Sequence, residues 1–201
     1  YFTSKNRNRK IDTDEKDILQ LKAYANDIWK FFSENVNESG NHLPPDNIQL
    51  TPYEKTANRT SPTNIGLYLV STLCARDMGL ISTDEFFNRI NSTLETIEKL
   101  KKYNGHLFNW YDTKNLSVLN PSYISSVDSG NFIACLVTLK NGIFDYTGDE
   151  PSLVETAGKI DRIINETDFS FLYNKSRHLY NILKTIHYNY GFNYQYYDRP
   201  L

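Results

Sequence analysis

The sequence predicts an all-α protein whose helices pack as antiparallel neighbours, with a short β-hairpin set into one rim loop. Three observations carry this. Apolar residues recur at helical spacing in five separate segments. Serines stand at N-cap positions before two of those segments, Ser61 and Ser82. Most connections between segments are short, which makes successive helices antiparallel neighbours.

The first helix is expected from about Thr13 to Val36, with Asp14 and Glu15 in its first turn. Ile18, Leu21, Ala25, Ile28, Trp29 and Phe32 form its apolar stripe, and the pattern ends before Asn37-Glu38-Ser39-Gly40. From Asn41 to Thr56 the prolines Pro44, Pro45 and Pro52 forbid regular helix, so the chain runs extended and carries Asp46 and Gln49 toward the rim. The run Asn58-Arg59-Thr60-Ser61-Pro62-Thr63-Asn64 then turns into a second helix. Ser61 is its N-cap and Pro62 its first residue, because proline fits a helix only in the first turn. Ile65, Tyr68, Leu69, Thr72 and Leu73 continue the helical pattern, which stops at Gly79. Arg59 and Asn64 therefore flank a positive helix end.

Ser82-Thr83-Asp84-Glu85 has capping-box spacing and opens a third helix on Phe86, Ile90, Leu94, Ile97 and Leu100, with Gly105 read as its stop. A connection of about twenty residues follows, long enough in a compact domain to be functional or disordered. Phe108, Trp110, Tyr111 and Tyr123 argue against disorder. Alternation from Leu107 to Tyr111, a polar turn from Asp112 to Asn115, and Leu116 to Leu119 predict the rim hairpin. A fourth helix starts near Ser126 to Ser129, with Asp128 in its first turn, and runs through Phe132, Ile133, Leu136, Leu139 and Ile143. A fifth spans Pro151 to Asn165 on Leu153, Val154, Ala157, Ile160, Ile163 and Ile164.

Composition narrows the function classes. With 201 residues and a net charge of −2, the chain is one domain in size and offers no basic stripe for nucleic acid. Lys5, Arg7, Arg9 and Lys10 cluster in a polar segment that reads as a solvated tail. No apolar run approaches the roughly 20 residues needed to span a bilayer, and no signal peptide opens the chain, so this segment is expected to make no membrane contact. Cys74 and Cys135 fall in helical patterns and suit a reducing compartment; His42, His106, His178 and His187 lack ligand spacing, so no metal is expected. Without a glycine-rich phosphate loop or a nucleophile elbow, no cofactor is expected either.

The runs Leu43 to Gln49, Arg59 to Leu69, Gly105 to Thr113 and Tyr123 to Asn131 resemble, in order and spacing, the helical glycoside-processing domain of cyclic β-1,2-glucan synthases. That domain is similar to endo-β-1,2-glucanases and glucoamylase-like hydrolases. The resemblance covers most of the chain, from about Asp14 to Leu172. It implies a partial (α/α) toroid, a β-glucan or other oligosaccharide as ligand, and either the remainder of a larger polypeptide or a second copy as partner. It also implies a cytoplasmic location, because the full-length synthases are inner-membrane proteins that hold this domain on the cytoplasmic side. The organisation expected is a frayed segment 1–12, a helical domain fragment 13–172, and a segment 173–201 whose assignment stays open.

Glycosidic chemistry needs two carboxyl groups on one bond. Asp46, Asp112 and Asp128 are the candidates, and each also reads structurally: Asp46 and Asp112 as turn formers, Asp128 as a helix N-terminal carboxylate. In the resembling enzymes the catalytic glutamates are expected later in the domain, so the catalytic residues here stay unknown and the isolated chain is expected to turn over little. What remains is a substrate-holding set. Arg59 and Asn64 act as donors, Asp112 and Asp128 as acceptors, Trp110 and Tyr111 as flat surfaces for sugar rings, and Asn131 completes the motif that begins at Tyr123. A noncatalytic glucan-binding or scaffold module is the alternative.

Overall fold

Helices begin where a side-chain oxygen can satisfy the first free backbone N–H groups. In the computed structural model, which describes residues 14–144 and 151–186, Asp14 caps α1 (Glu15–Asn35) through a reciprocal pair with Asp17. Ser61 caps α2 (Pro62–Asp77), with Pro62 in the first turn, and Ser82 caps α3 (Thr83–Lys99). Two further helices follow, α4 (Ser126–Phe144) and α5 (Pro151–Glu166). The basic run from Lys5 to Lys10 and the residues from His187 onward lie outside the described residues.

Helices α2, α3, α5 and α4 touch one another in a closed circuit, with the most extensive contact between α2 and α4. Ile65, Leu69, Phe86, Ile90, Leu94, Ile97, Leu136, Leu139, Ile143 and Ile160 fill the space between them and are buried, as their periodicity predicts. The α2–α4 approach depends on Gly66, where an added Cβ would lie 3.0 Å from the Cys135 Cβ and 3.3 Å from the Phe132 Cα.

Helix α1 rests on the outside of α2 through a second, smaller core of Trp29, Val36, Tyr68 and Ala75. Here the sequence expectation needs correcting. Trp29 is buried, but Ile18, Leu21 and Ile28 of the same stripe are 44%, 58% and 66% exposed. Periodicity reveals that a face is apolar, not what covers it, and among the described residues little lies over this one.

The all-α expectation is also too simple. The described residues are mostly helical, but among them ten short strands form five two-stranded antiparallel pairs. In chain order they are β1 (Ile48–Gln49), β2 (Lys55–Thr56), β3 (Arg59–Thr60), β4 (Lys102–Tyr103), β5 (His106–Leu107), β6 (Tyr111–Asp112), β7 (Tyr123–Ser125), β8 (Tyr173–Asn174), β9 (Leu179–Tyr180) and β10 (Leu183–Thr185). The pairs are β1–β2, β3–β6, β4–β5, β7–β10 and β8–β9. Ladders this short leave no periodic signature, because two or three residues are too few to establish an alternation.

Gly105 does not end α3. The helix closes at Leu100, and Gly105 sits in the β4–β5 hairpin turn beside Asn104, both with positive φ (78° and 48°). Asn-Gly between paired residues is a strong hairpin signal. The rim hairpin likewise forms over a shorter span: Leu107 pairs back with Lys102, while Tyr111 bridges Val118 and Leu119 N–H donates to the Trp110 carbonyl.

His106 of β5 is buried edge-on to Phe169 and Phe171. Its Nε2 lies 2.9 Å from the Asp168 carbonyl and its Nδ1 2.8 Å from Ser129 Oγ, which suits the neutral ring with its proton on Nε2. Burial pushes the ring below its ordinary value of 6.5, outweighing the opposing pull of the Asp168 carbonyl and carboxylate. The unfolded chain therefore takes up this proton at higher pH than the folded one. This contribution to stability is complete above pH 6.5 and declines as pH falls through the window beneath it. Urea titrations between pH 7 and 5 are expected to show that decline, and His106→Gln to flatten it.

Candidate functional site

The rim is built where the β3–β6 ladder meets the N-termini of α2 and α4. Arg59 pairs with Asp112 and Thr60 with Tyr111, so alternation sends Thr60 and Tyr111 into the core and leaves Arg59 outside. Arg59 closes on Asp46 of the proline loop, donating from Nε and Nη2 to one carboxylate oxygen at 3.1 and 2.9 Å. The other oxygen accepts from the Asn64 amide at 3.3 Å. The guanidinium also lies 4.5 Å from the centroid of the Trp110 ring, within cation–π range.

The same surface continues across to α4. Ser125 Oγ accepts from the Asp128 N–H at 3.1 Å, which fixes Asp128 in the first turn. Thr63 at the start of α2 donates its hydroxyl to Asp128 Oδ1 at 2.6 Å and accepts from the Asn131 amide at 3.2 Å. Asn109 is buried, and its amide is satisfied when nitrogen donates to Asp128 Oδ2 at 3.2 Å. Its oxygen then accepts from the Tyr123 hydroxyl at 2.7 Å and from the Trp110 indole N–H.

Arg59, Asn64, Trp110, Asp128 and Asn131 are thus brought onto one rim. Tyr111 is not among them. Its ring is completely buried, and its hydroxyl accepts from the Phe108 N–H at 2.7 Å and donates to the Lys101 carbonyl at 2.6 Å. It is a core residue that pins the rim loop, not a surface for a sugar. Tyr111→Phe removes the oxygen joining these two backbone groups and is expected to cost about 1–3 kcal/mol in denaturant unfolding. Asp112 is occupied by its own turn, accepting from the Lys114 and Asn115 N–H groups at 2.7 and 3.1 Å. Its place in the ladder registers Arg59, while its carboxylate shapes the hairpin.

Four residues of the network, Asp46, Thr63, Asn109 and Tyr123, fall outside the binding set drawn from the sequence. Adjacency was the available signal: Thr63 precedes Asn64, Asn109 precedes Trp110, and Tyr123 opens the motif that ends at Asn131. All three candidate carboxylates accept hydrogen bonds within the protein, an arrangement suited to holding donors in place.

The family described as "Protein of unknown function (DUF3131)" matches residues 23–190. The chain belongs to the DUF3131 family. This DUF3131 chain is 45% identical over 149 residues to the cyclic β-(1,2)-glucan synthase NdvB of Rhizobium meliloti (strain 1021), a match covering 74% of the chain and 5% of that protein. Among solved structures it is similar to an endo-β-1,2-glucanase from Chitinophaga pinensis, solved with sophorotriose and glucose, at 15% identity and a TM-score of 0.66. That match covers 81% of this chain and 39% of the glucanase. A putative glucoamylase from Bacteroides caccae ATCC 43185 aligns at 18% identity and a TM-score of 0.67, over 80% of this chain and 39% of that one. The DUF3131 chain therefore spans a small part of the synthase and about two fifths of each of these two solved chains.

Proposed function

We propose that this chain is the glucan-holding rim of a glycoside-hydrolase-like, carbohydrate-active domain, and that its ligand is a β-1,2-linked glucose oligomer. The observation that carries this is the convergence of an arginine clamp, an indole and a fixed carboxylate on the N-termini of α2 and α4. Sugar sites combine these elements: a flat apolar surface buries the ring face, and a few placed polar groups select the hydroxyls. Arg59 supplies donors, Asp128 supplies acceptors and Trp110 supplies the surface. The 45% identity to the β-1,2-glucan synthase supports the choice of linkage.

In this reading the helices are part of an (α/α) toroid and the described arm to Ile186 belongs to the same unit, since β10 pairs with β7. The uncovered stripe of α1, with Leu67 and Met78 of α2, is the face on which further helices of a ring or a second copy would pack. Holding rather than cleavage is the role these residues support, because each candidate carboxylate is already engaged. Calorimetric titration with sophorotriose tests this. Saturable heat with no new reducing ends from linear β-1,2-glucan is the expected result. Absence of heat from the folded chain at millimolar sugar would leave a scaffold, and rapid release of reducing ends would move catalysis onto this chain.

A further inference from the structure

We infer that Asn109 is a positioning residue that joins the Trp110 platform to the Asp128 acceptor, so that the two meet a sugar as one unit. The functional half of this rests on the glucan-holding reading; the coupling itself rests on geometry. Asn109 is 5% exposed, and its backbone N–H is fixed to the Tyr123 carbonyl at 2.9 Å. With the amide in the orientation its partners require, its side chain accepts from Tyr123 and Trp110 at one end and donates to Asp128 at the other.

Chemistry limits what can stand here. Two acceptor contacts and one donor contact at opposite ends of a short planar group are what a primary amide offers. A carboxylate would accept from both aromatic partners but repel Asp128, and a serine hydroxyl is too short to reach both sides. With Asn109 in place, the indole is fixed at its edge by the amide and over its face by Arg59. Asp128 is fixed at one oxygen by Thr63 and at the other by Asn109, and its remaining lone pairs are available to sugar hydroxyls. A disturbance at the carboxylate is then felt at the indole.

A double-mutant cycle on the 201-residue chain tests this, because a merely structural role gives additive effects. The chain has two tryptophans, so Trp110→Phe assigns the Trp110 indole N–H resonance. Without ligand, Asp128→Asn is expected to displace that resonance in the native background and to leave it unmoved in Asn109→Ala. With sophorotriose as probe, Asn109→Ala is expected to weaken binding about tenfold, and less than about twofold once Asp128 is asparagine. If the alanine variant fails to fold, Asn109→Asp serves, since it keeps both acceptor contacts. Combining it with Asp128→Asn reverses the donor and acceptor and should return the indole signal toward its native position. Additive shifts, or an indole that ignores Asp128→Asn, would overturn the inference. Failure of the native chain to bind sophorotriose would sink the sugar reading instead, and the ligand-free arm would still decide the coupling.

Discussion

Gly105→Ala is expected to lower the unfolding free energy by about 3 kcal/mol or more, a large share of the roughly 5–15 kcal/mol that holds a domain together. Two independent penalties meet at this position. Its φ of +78° lies in a region that L side chains rarely adopt. An added Cβ would also fall 1.9 Å from the Glu166 carbonyl oxygen and 2.8 Å from the Thr167 nitrogen. Both are backbone atoms at the end of α5, so no rotamer change relieves the clash. Gly79 provides the control, because it has a similar φ of +71° but nothing within 4 Å of an added Cβ. Gly79→Ala should cost only about 1 kcal/mol, the conformational part alone. Urea midpoints of the two variants measure the difference, and equal losses would show that the α5 contact contributes nothing.

Trp110→Ala is expected to weaken sophorotriose binding about tenfold or more while leaving the fold intact. Covering roughly 60 Å² of ring face at ~25 cal/mol per Å² amounts to ~1.5 kcal/mol, which is about a decade in Kd. The alanine also removes the indole N–H that Asn109 accepts and the surface under the Arg59 guanidinium. Because Trp110 is only partly buried, the stability change should be much smaller than at Gly105. Calorimetry and a urea curve on the same preparation separate the two effects. Unchanged affinity in a folded variant would take the ring out of the sugar site.

The sequence exposes the helices well and the rim unevenly, for physical reasons. Caps are local chemistry, so Ser61, Ser82 and the start of α4 could be read from neighbouring residues alone. Apolar periodicity located the buried faces of α2, α3 and α5. It misjudged α1, since whether Ile18, Leu21 and Ile28 are covered depends on chain distant in sequence or on another molecule. Asn104-Gly105 was legible as a hairpin and was masked by the helix pattern just before it. Most of the rim residues were legible because they cluster in two motifs. Asp46 was legible as a rim carboxylate but not as the partner of Arg59, a contact made when β1 and β2 pair. The burial of Tyr111 beside an exposed Arg59 was not legible, because it depends on the pairing of Arg59 with Asp112, a contact between residues 53 positions apart.

The most direct measurement is a sophorotriose titration of the isotopically labelled chain followed by amide and indole resonances. The Trp110 indole and the Arg59, Asn64 and Asn131 signals are expected to move together and saturate with one dissociation constant. A titration in which these signals stay still, whether or not others move, would contradict a glucan-holding rim.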